Sequence, residues 1–345
     1  MRLAVDAMGG DSGVSVTIPA SLFFLKNNPS VFISFYGDST EIKAQLSDYS
    51  DILKAVSDRF DVVHCKSEVS IKEKPSYSIR NKKNTSMWCA IESLSNNINL
   101  ACVSSGNTGS LMAISLQKIG CIKGISRPAI CSKIPTSNSS LNGHTYLLDL
   151  GANVECSAKK LHQFSLMASR MISVIHHIDL PSVALLNIGV EETKGHEELW
   201  NAAKLLKADK NINYVGFIEG NSIFKDEVNI VVCDGFTGNI SIKTMEGFAE
   251  LSHQYLNKEL SLSFFGKLGK LIANAPLKKF YKKLDPSQYN GASFLGLRKV
   301  VVKSHGNSSI DGFYAALKSA MIEVKLSLPD RIEQIFIEHV EFAED

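Results

Sequence analysis

Residues 100–119 read LACVSSGNTGSLMAISLQKI, and the fold class turns on this stretch. It opens with a short apolar run, LACVS, which reads as a buried strand. The polar loop SSGNTG (104–109) follows, and apolar residues then return at helical spacing from Asn107 to Ile119. Strand, glycine-containing loop and helix therefore follow one another without a linker.

The same rhythm extends in both directions. Apolar runs stand at 3–6, 31–36, 61–64, 146–150, 183–189, 214–220, 229–235 and 300–306. Helical periods cover Ala158 to His177, Glu197 to Lys207, Asn239 to Leu260 and Gly312 to Leu328. Runs that are apolar throughout need cover on both faces, so the pattern predicts a three-layer α/β/α fold around a mainly parallel sheet. Neither a repeat nor a linker divides residues 1–345, which we read as one unit of two interleaved subdomains.

Composition narrows the function classes. Of 345 residues, 44% are hydrophobic and 21% charged, with a net charge of only +2, which gives no overall indication of nucleic acid binding. The start, MRLAVDAMGG, runs straight into an apolar strand, and no stretch approaches the ~20 apolar residues of a membrane span. A cytoplasmic protein is expected. Cys65, Cys89, Cys102, Cys121, Cys131, Cys156 and Cys233 form no CxxC pair, so neither a disulfide framework nor a zinc site is expected.

Polar loops follow the strands: DAMGGDSG (6–13), SSGNTG (104–109), DLGANVE (149–155), NIGVEETKG (187–195), EGNSI (219–223), CDGFTGN (233–239) and KSHGNSS (303–309). In open parallel sheets, ligands bind beyond the carboxyl ends of the strands, so these loops should share a rim. A glycine-rich turn entering a helix offers unpaired N–H groups and the positive end of a helix dipole, an anion cradle. Ser105, Gly106, Asn107, Thr108 and Gly109 fit that description, as do Gly235, Thr237, Gly238 and Asn239. Neither loop carries a dinucleotide or P-loop fingerprint. A nucleophile elbow is absent, and HEELW (196–200) has Trp200 where a zinc-protease motif needs its second histidine. Adjacent His176 and His177 project in different directions, whereas His305 lies in a strand-end loop beside Lys303.

One further segment stands out, SLSFFGKLGKLIANAPLKKFYKKLD (261–285). Phe264, Leu268, Leu271, Ile272 and Ala275 share one helical face, and Leu277, Phe280, Tyr281 and Leu284 another, which predicts two short amphipathic helices joined at Pro276. Six lysines and no acid lie between Ser261 and Leu284. The segment reads either as a hairpin packed on the protein or a second copy, or as a hairpin lying in an anionic membrane surface through Phe264, Phe265, Leu268 and Leu271.

Taken in order, DAMGGD (6–11), SSGNTGSLMA (104–113), RPAI (127–130), LLDLGANVEC (147–156), LLNIGVEETKG (185–195), FIEGNSIF (217–224), VVCDGFTGNISIKTMEG (231–247), YNGASFLGL (289–297) and VVKSHG (301–306) closely resemble the bacterial acyl-ACP:phosphate acyltransferase family, PlsX. The resemblance implies an enzyme that moves a fatty acyl group from acyl carrier protein to inorganic phosphate, giving acyl phosphate for phospholipid synthesis. It implies a fold like the phosphotransacetylases and the isocitrate and isopropylmalate dehydrogenases, a homodimer, and no cofactor or metal. Phosphate is the nucleophile, so no covalent acyl-enzyme is needed.

On that resemblance Ser105, Asn107 and Thr108, with their loop N–H groups, are candidates for phosphate or oxyanion binding. Asp234, Asn239, Lys194 and His305 are candidates for charge stabilisation or proton handling. Asp6 and Asp11, in the first loop with Gly9 and Gly10, orient these groups or serve as turn residues. Peripheral contact with the inner face of the cell membrane would deliver acyl phosphate to a glycerol-phosphate acyltransferase there. A decarboxylating dehydrogenase needs a nicotinamide site and grouped metal-binding aspartates, and neither is visible. A non-catalytic scaffold leaves the retained polar loops without a purpose.

Overall fold

The structure is a computed structural model that describes residues 1–70, 72–81, 83–137, 143–277, 280 and 290–341. In chain order the strands are β1 (Arg2–Asp6), β2 (Phe32–Gly37), β3 (Phe60–His64), β4 (Ala101–Ser104), β5 (Ala129–Pro135), β6 (His144–Leu148), β7 (Ser182–Leu186), β8 (Asn213–Ile218), β9 (Ile230–Val232), β10 (Ala292–Leu295) and β11 (Val300–Lys303). The helices are α1 (Val14–Asn27), α2 (Ser39–Ser47), α3 (Ser50–Val56), α4 (Pro75–Asn81), α5 (Ser86–Ser95), α6 (Thr108–Lys118), α7 (Ala158–His176), α8 (Glu197–Ala208), α9 (Gly235–Leu262), α10 (Phe264–Ile272), α11 (Ile310–Lys325) and α12 (Leu328–Glu341).

All eleven strands join one sheet in the order β3-β2-β1-β4-β11-β10-β5-β6-β9-β7-β8. Alternate residues of each strand enter different cores, as a period of two requires. Leu3 and Val5 of β1 pack with Phe24 and Phe313 under α1 and α11, while Ala4 faces Met87 and Ile91 of α5. In the other half, Tyr146, Leu148, Val183 and Val232 meet α7 and α8, and Leu147, Ala184 and Val231 point the opposite way toward Ile242 and Met245 of α9. Both faces are covered, which is why these strands are apolar throughout.

Two strands were not expected. β10 runs antiparallel to β11 and to β5, and β5 runs antiparallel to β6, which makes the sheet mixed at its centre. β5 reads AICSKIP, diluted by polar residues and a proline, and β10 has only four residues after Gly291. Helix α9 starts four residues before the expected Asn239, because the Asp234 carboxylate accepts from the Thr237 N–H at 2.7 Å and caps the chain there. The expected single helix Gly312 to Leu328 divides at Ser327, whose φ of 48° is left-handed.

The 261–285 segment also departs from expectation. The break falls at Ala273, whose N–H closes back on Gly269 and Leu271, and helical backbone resumes over 274–277 with Pro276 inside it. Proline is tolerated in a first helical turn, where the N–H has no intrahelical acceptor. The hairpin partner of α10 is α9: Lys270 Nζ donates to Asn257 Oδ1 at 2.9 Å, and the Ser263 hydroxyl at the turn accepts from Gly266 N at 2.9 Å. The expected second helix beyond Leu277, including Tyr281 and Leu284, lies largely outside the described residues, as does the side chain of Phe264.

Candidate active site

β1, β4 and β11 are sheet neighbours running parallel, so the loops that leave their carboxyl ends meet at one rim. Asp6, buried at the end of β1, accepts from the Ser104 hydroxyl at 2.6 Å, and that hydroxyl in turn accepts from Gly106 N at 3.1 Å. Ser105 Oγ donates to Gly9 O at 2.7 Å, and Asp11 N donates to Gly306 O at 2.9 Å. Gly10 packs on Ser105 and Gly306, completing the seam between the three loops. Burial pushes the Asp6 carboxyl above its usual range, against the pull of the Ser104 hydrogen bond.

Lys303 ends β11 directly beside Ser104 in register. Its ammonium donates to Ser105 O at 3.2 Å and to Ser304 O. Burial lowers its pKa to about 8; the charge of Lys243 works the same way, and Asp6 and Asp11 work against it. Asn290 fixes the 303–308 loop: its amide nitrogen donates to Ser304 Oγ at 2.8 Å and Ser308 Oγ at 2.7 Å, and its oxygen accepts from His305 N. The cluster therefore combines a part-buried cation with backbone from three glycine-containing loops.

Asn107 caps α6, accepting from Ser110 N at 2.8 Å, and its amide nitrogen donates to Glu73 O at 3.2 Å. Thr108 and Gly109 are exposed in the first helical turn that follows. The N–H groups of that turn add partial positive charge on the side of Lys303.

A second cluster gathers behind β6 and β9. Asp149 is fully buried and accepts four hydrogen bonds, from the N–H of Ile130, Ala152 and Asn153 and from the Asn153 side chain, at 2.7 to 3.1 Å. Burial nevertheless leaves its pKa raised. Gly235 N donates to Asn153 O at 2.7 Å. A Cβ on Gly238 would stand 1.9 Å from Asp149 O, so only glycine lets α9 begin here. Thr237 is part-buried, and Asn239 is exposed against Gly151.

The strand-end loops do not share one rim as expected: four strands separate β4 from β9, and three antiparallel pairings among them reverse β9 relative to β4, so the loops at 104–109 and 233–239 build two clusters, and α9 joins them. From its cap at Asp234 the helix reaches Lys243 nine residues on, a rise of about 14 Å. There Lys243 Nζ lies 3.4 Å from His305 Nε2, and Glu246 lies 3.5 Å from the same nitrogen and 2.6 Å from Lys243. Burial works upward on Glu246, but hydrogen bonds from His305 and Lys243 outweigh it and lower its pKa. Lys194 sits in the loop after β7, where its carbonyl accepts from Trp200 Nε1 at 2.7 Å and from the Asn187 side chain at 3.1 Å. With five strands between β4 and β7, Lys194 is well removed from the first cluster. A cavity of about 170 Å³ lies elsewhere again, between α8 and β8, lined by Trp200, Lys207, Tyr214 and Phe217.

Sequence reasoning passed over Lys303, Asn290, Asp149 and Asn153. Each stood in a motif already noted, and the missing signal was burial, which turns an ordinary strand-end lysine into a perturbed cation.

Comparison with known proteins is consistent along nearly the whole chain. A family profile described as "Fatty acid synthesis protein" matches residues 1–331. The chain is 44% identical over 330 residues to the phosphate acyltransferase of Methylococcus capsulatus, covering 96% of this chain and 95% of that one. It is 42% identical over 332 residues to the phosphate acyltransferase of Hydrogenovibrio crunogenus, covering 96% of each. Among solved structures, the fold is similar to a phosphotransacetylase from Streptococcus pyogenes, with a TM-score of 0.59 and 15% identity over 96% of this chain and 94% of that one. Identity above 40% along nearly the full length, on a phosphotransacetylase-like fold, places the protein: the chain belongs to the phosphate acyltransferase (PlsX) family of fatty acid and phospholipid synthesis.

Proposed function

We propose that the enzyme transfers a fatty acyl group from acyl carrier protein to inorganic phosphate, and that phosphate binds among the 6–11, 104–109 and 303–308 loops against Lys303. The observation that carries this is the convergence of the three loops on one part-buried ammonium. A phosphate oxygen attacks the thioester carbonyl, the carbonyl oxygen gathers charge, the C–S bond breaks, and the carrier thiol leaves. The proton on hydrogen phosphate ends on the departing sulfur. Lys303, with a pKa of about 8, lies close to the ordinary thiol value of ~8.5 and suits relay of that proton. Ser105 and the first turn of α6 hold the phosphate. His305, Lys243 and the Asp234–Asn239 turn flank the thioester along α9. Phosphate is the nucleophile, so the chemistry calls for no cofactor.

Two surfaces complete the proposal. The exposed apolar residues Ile240, Phe248, Leu251 and Tyr255 form a stripe along α9 that a second copy could cover, which supports a homodimer. On α10, Phe265, Leu271 and Ile272 are 82%, 72% and 77% exposed beside Lys267 and Lys270, which supports peripheral contact with an anionic bilayer. Among the described residues no helix is long and apolar enough to cross a membrane. Acyl phosphate released there would reach a membrane glycerol-phosphate acyltransferase directly. Assays of the purified protein with phosphate and acyl carrier, set beside NAD and a hydroxy acid, test the reaction: acyl phosphate formation supports it, and hydride transfer overturns it.

A further inference from the structure

The positive charge of this chain is concentrated in three stretches. Residues 66–83 hold Lys66, Lys72, Lys74, Arg80, Lys82 and Lys83 against Glu68 and Glu73, a net +4, and residues 261–285 hold a net +5. Residues 118–133 add Lys118, Lys123, Arg127 and Lys133 without an acid, a net +4, and with the whole chain at +2 the rest carries a net −11. The second stretch is the hairpin already described. The first has no role in the chemistry above, yet it adjoins the phosphate loop.

Residues 67–85 form a flap closed at its base, where Ser67 and Thr85 pair as a parallel bridge and Ser86 N donates to Ser67 O at 3.0 Å. Among its described residues up to Lys83 only Val69 and Ser78 are buried, while Lys66, Lys72, Lys74, Arg80 and Lys83 are exposed. The flap is nonetheless pinned to the start of α6. Asn107 donates to Glu73 O, the Ser78 and Ser110 hydroxyls share a buried hydrogen bond of 2.8 Å, and a Cβ on Gly109 would meet Pro75 at 2.7 Å. The cations and the helix cap thus belong to one hydrogen-bonded connection, and Tyr77 adds a half-exposed aromatic face among them.

We infer that this flap is the docking surface for the acidic acyl carrier, and that a carrier seated on it bears on Asn107 and so on the phosphate loop. The inference rests on the proposed reaction with acyl carrier as donor. Charge complementarity is the reason for the choice of partner: an acidic protein is repelled by most of this surface and attracted to the three cationic stretches, of which the flap is the one that, among the described residues, is hydrogen-bonded to the phosphate loop. Rim charges of this kind govern encounter rate and salt sensitivity more than chemistry, so the effect should appear in KM for the carrier.

The test is steady-state kinetics at low salt on the full-length enzyme carrying Lys72→Glu, Lys74→Glu and Arg80→Glu together. A control carries Lys204→Glu, Lys210→Glu and Lys325→Glu, exposed positions on α8, the loop after it and α11. The flap variant should raise KM for acyl carrier by about tenfold or more, lose most of its salt dependence, and keep KM for phosphate within about twofold. The control should keep carrier KM within about twofold. If charge reversal impairs folding, Lys72→Gln with Lys74→Gln and Arg80→Gln should give a smaller rise of the same sign. An unchanged carrier KM in the flap variant, with wild-type KM still rising with salt, overturns the inference and leaves the reaction standing. An equal rise in the control, or loss of binding to anionic vesicles with carrier KM unchanged, also overturns it. Absence of acyl phosphate from the wild-type enzyme with any acyl carrier overturns the reaction and the inference together.

Discussion

Lys303→Met removes the ammonium on which the proposed phosphate site depends and keeps most of its stem. Burial lowers the Lys303 pKa from 10.5 to about 8, so its charged form costs the fold roughly 3 kcal/mol below pH 8, a cost that vanishes above pH 10.5. Methionine removes that cost and gives up two charged hydrogen bonds, to Ser105 O and Ser304 O, each worth about 1.5–3 kcal/mol. The two sides cancel to within about 3 kcal/mol, and the variant should fold. Catalysis has no such compensation, because a charge-assisted contact to a phosphate dianion is lost in a part-buried site. At about 3 kcal/mol this lowers kcat/KM for phosphate roughly a hundredfold. Thiol release from acyl carrier at varied phosphate reads the ratio, with circular dichroism as the folding control. Wild-type activity should decline above about pH 8 as Lys303 loses its proton, and Lys303→Arg should remove that decline. A folded Lys303→Met enzyme with kcat/KM for phosphate within threefold of wild type refutes the assignment.

Asn107→Ala and Asp234→Ala each remove a helix cap worth about 1 kcal/mol, so both variants should fold with turnover reduced tenfold or more; wild-type rates in both would reject these loops as the site. Glu323 is 5% exposed, and burial pushes its pKa up to about 7 from 4.5, so its contribution to stability is greatest below pH 4.5 and is lost as pH rises through 7. Glu323→Gln should flatten that decline, which has a ceiling of roughly 3 kcal/mol, in melting temperatures between pH 4.5 and 8; an unaltered slope means that the carboxyl is not the source. Changing Phe265, Leu268 and Leu271 to serine should abolish sedimentation with anionic vesicles and spare turnover in solution, and retained binding would return α10 to a structural role.

Nine strands were legible: seven because parallel strands buried on both faces are largely apolar, as LACVS and NIVVC are, and the edge strands β3 and β8, only partly buried, because they still carry short apolar runs. β5 and β10 were not, because AICSKIP carries Ser132, Lys133 and Pro135, and ASFL is too short to show a period. The anion loops could be seen as glycine and hydroxyl clusters ahead of helices. Their partition into two groups could not, since it follows from strand order, and four strands lie between β4 and β9. Lys303 was noted only as the neighbour of His305, and its place in the site was hidden for the same reason: its neighbour Ser104 comes from the register of β11 on β4, nearly two hundred residues away in sequence. Gly235 and Gly238 read as loop glycines, whereas Asp234 caps a helix whose first turn holds both of them.

The central claim is that phosphate itself takes the acyl group. Wild-type enzyme should be given acyl carrier thioester and isotopically labelled phosphate, with thiol and acyl phosphate quantified in the same reaction. One mole of labelled acyl phosphate should appear per mole of thiol, and neither should form without phosphate. Thiol release that proceeds at the same rate without phosphate, or that yields free fatty acid in place of acyl phosphate, contradicts the claim.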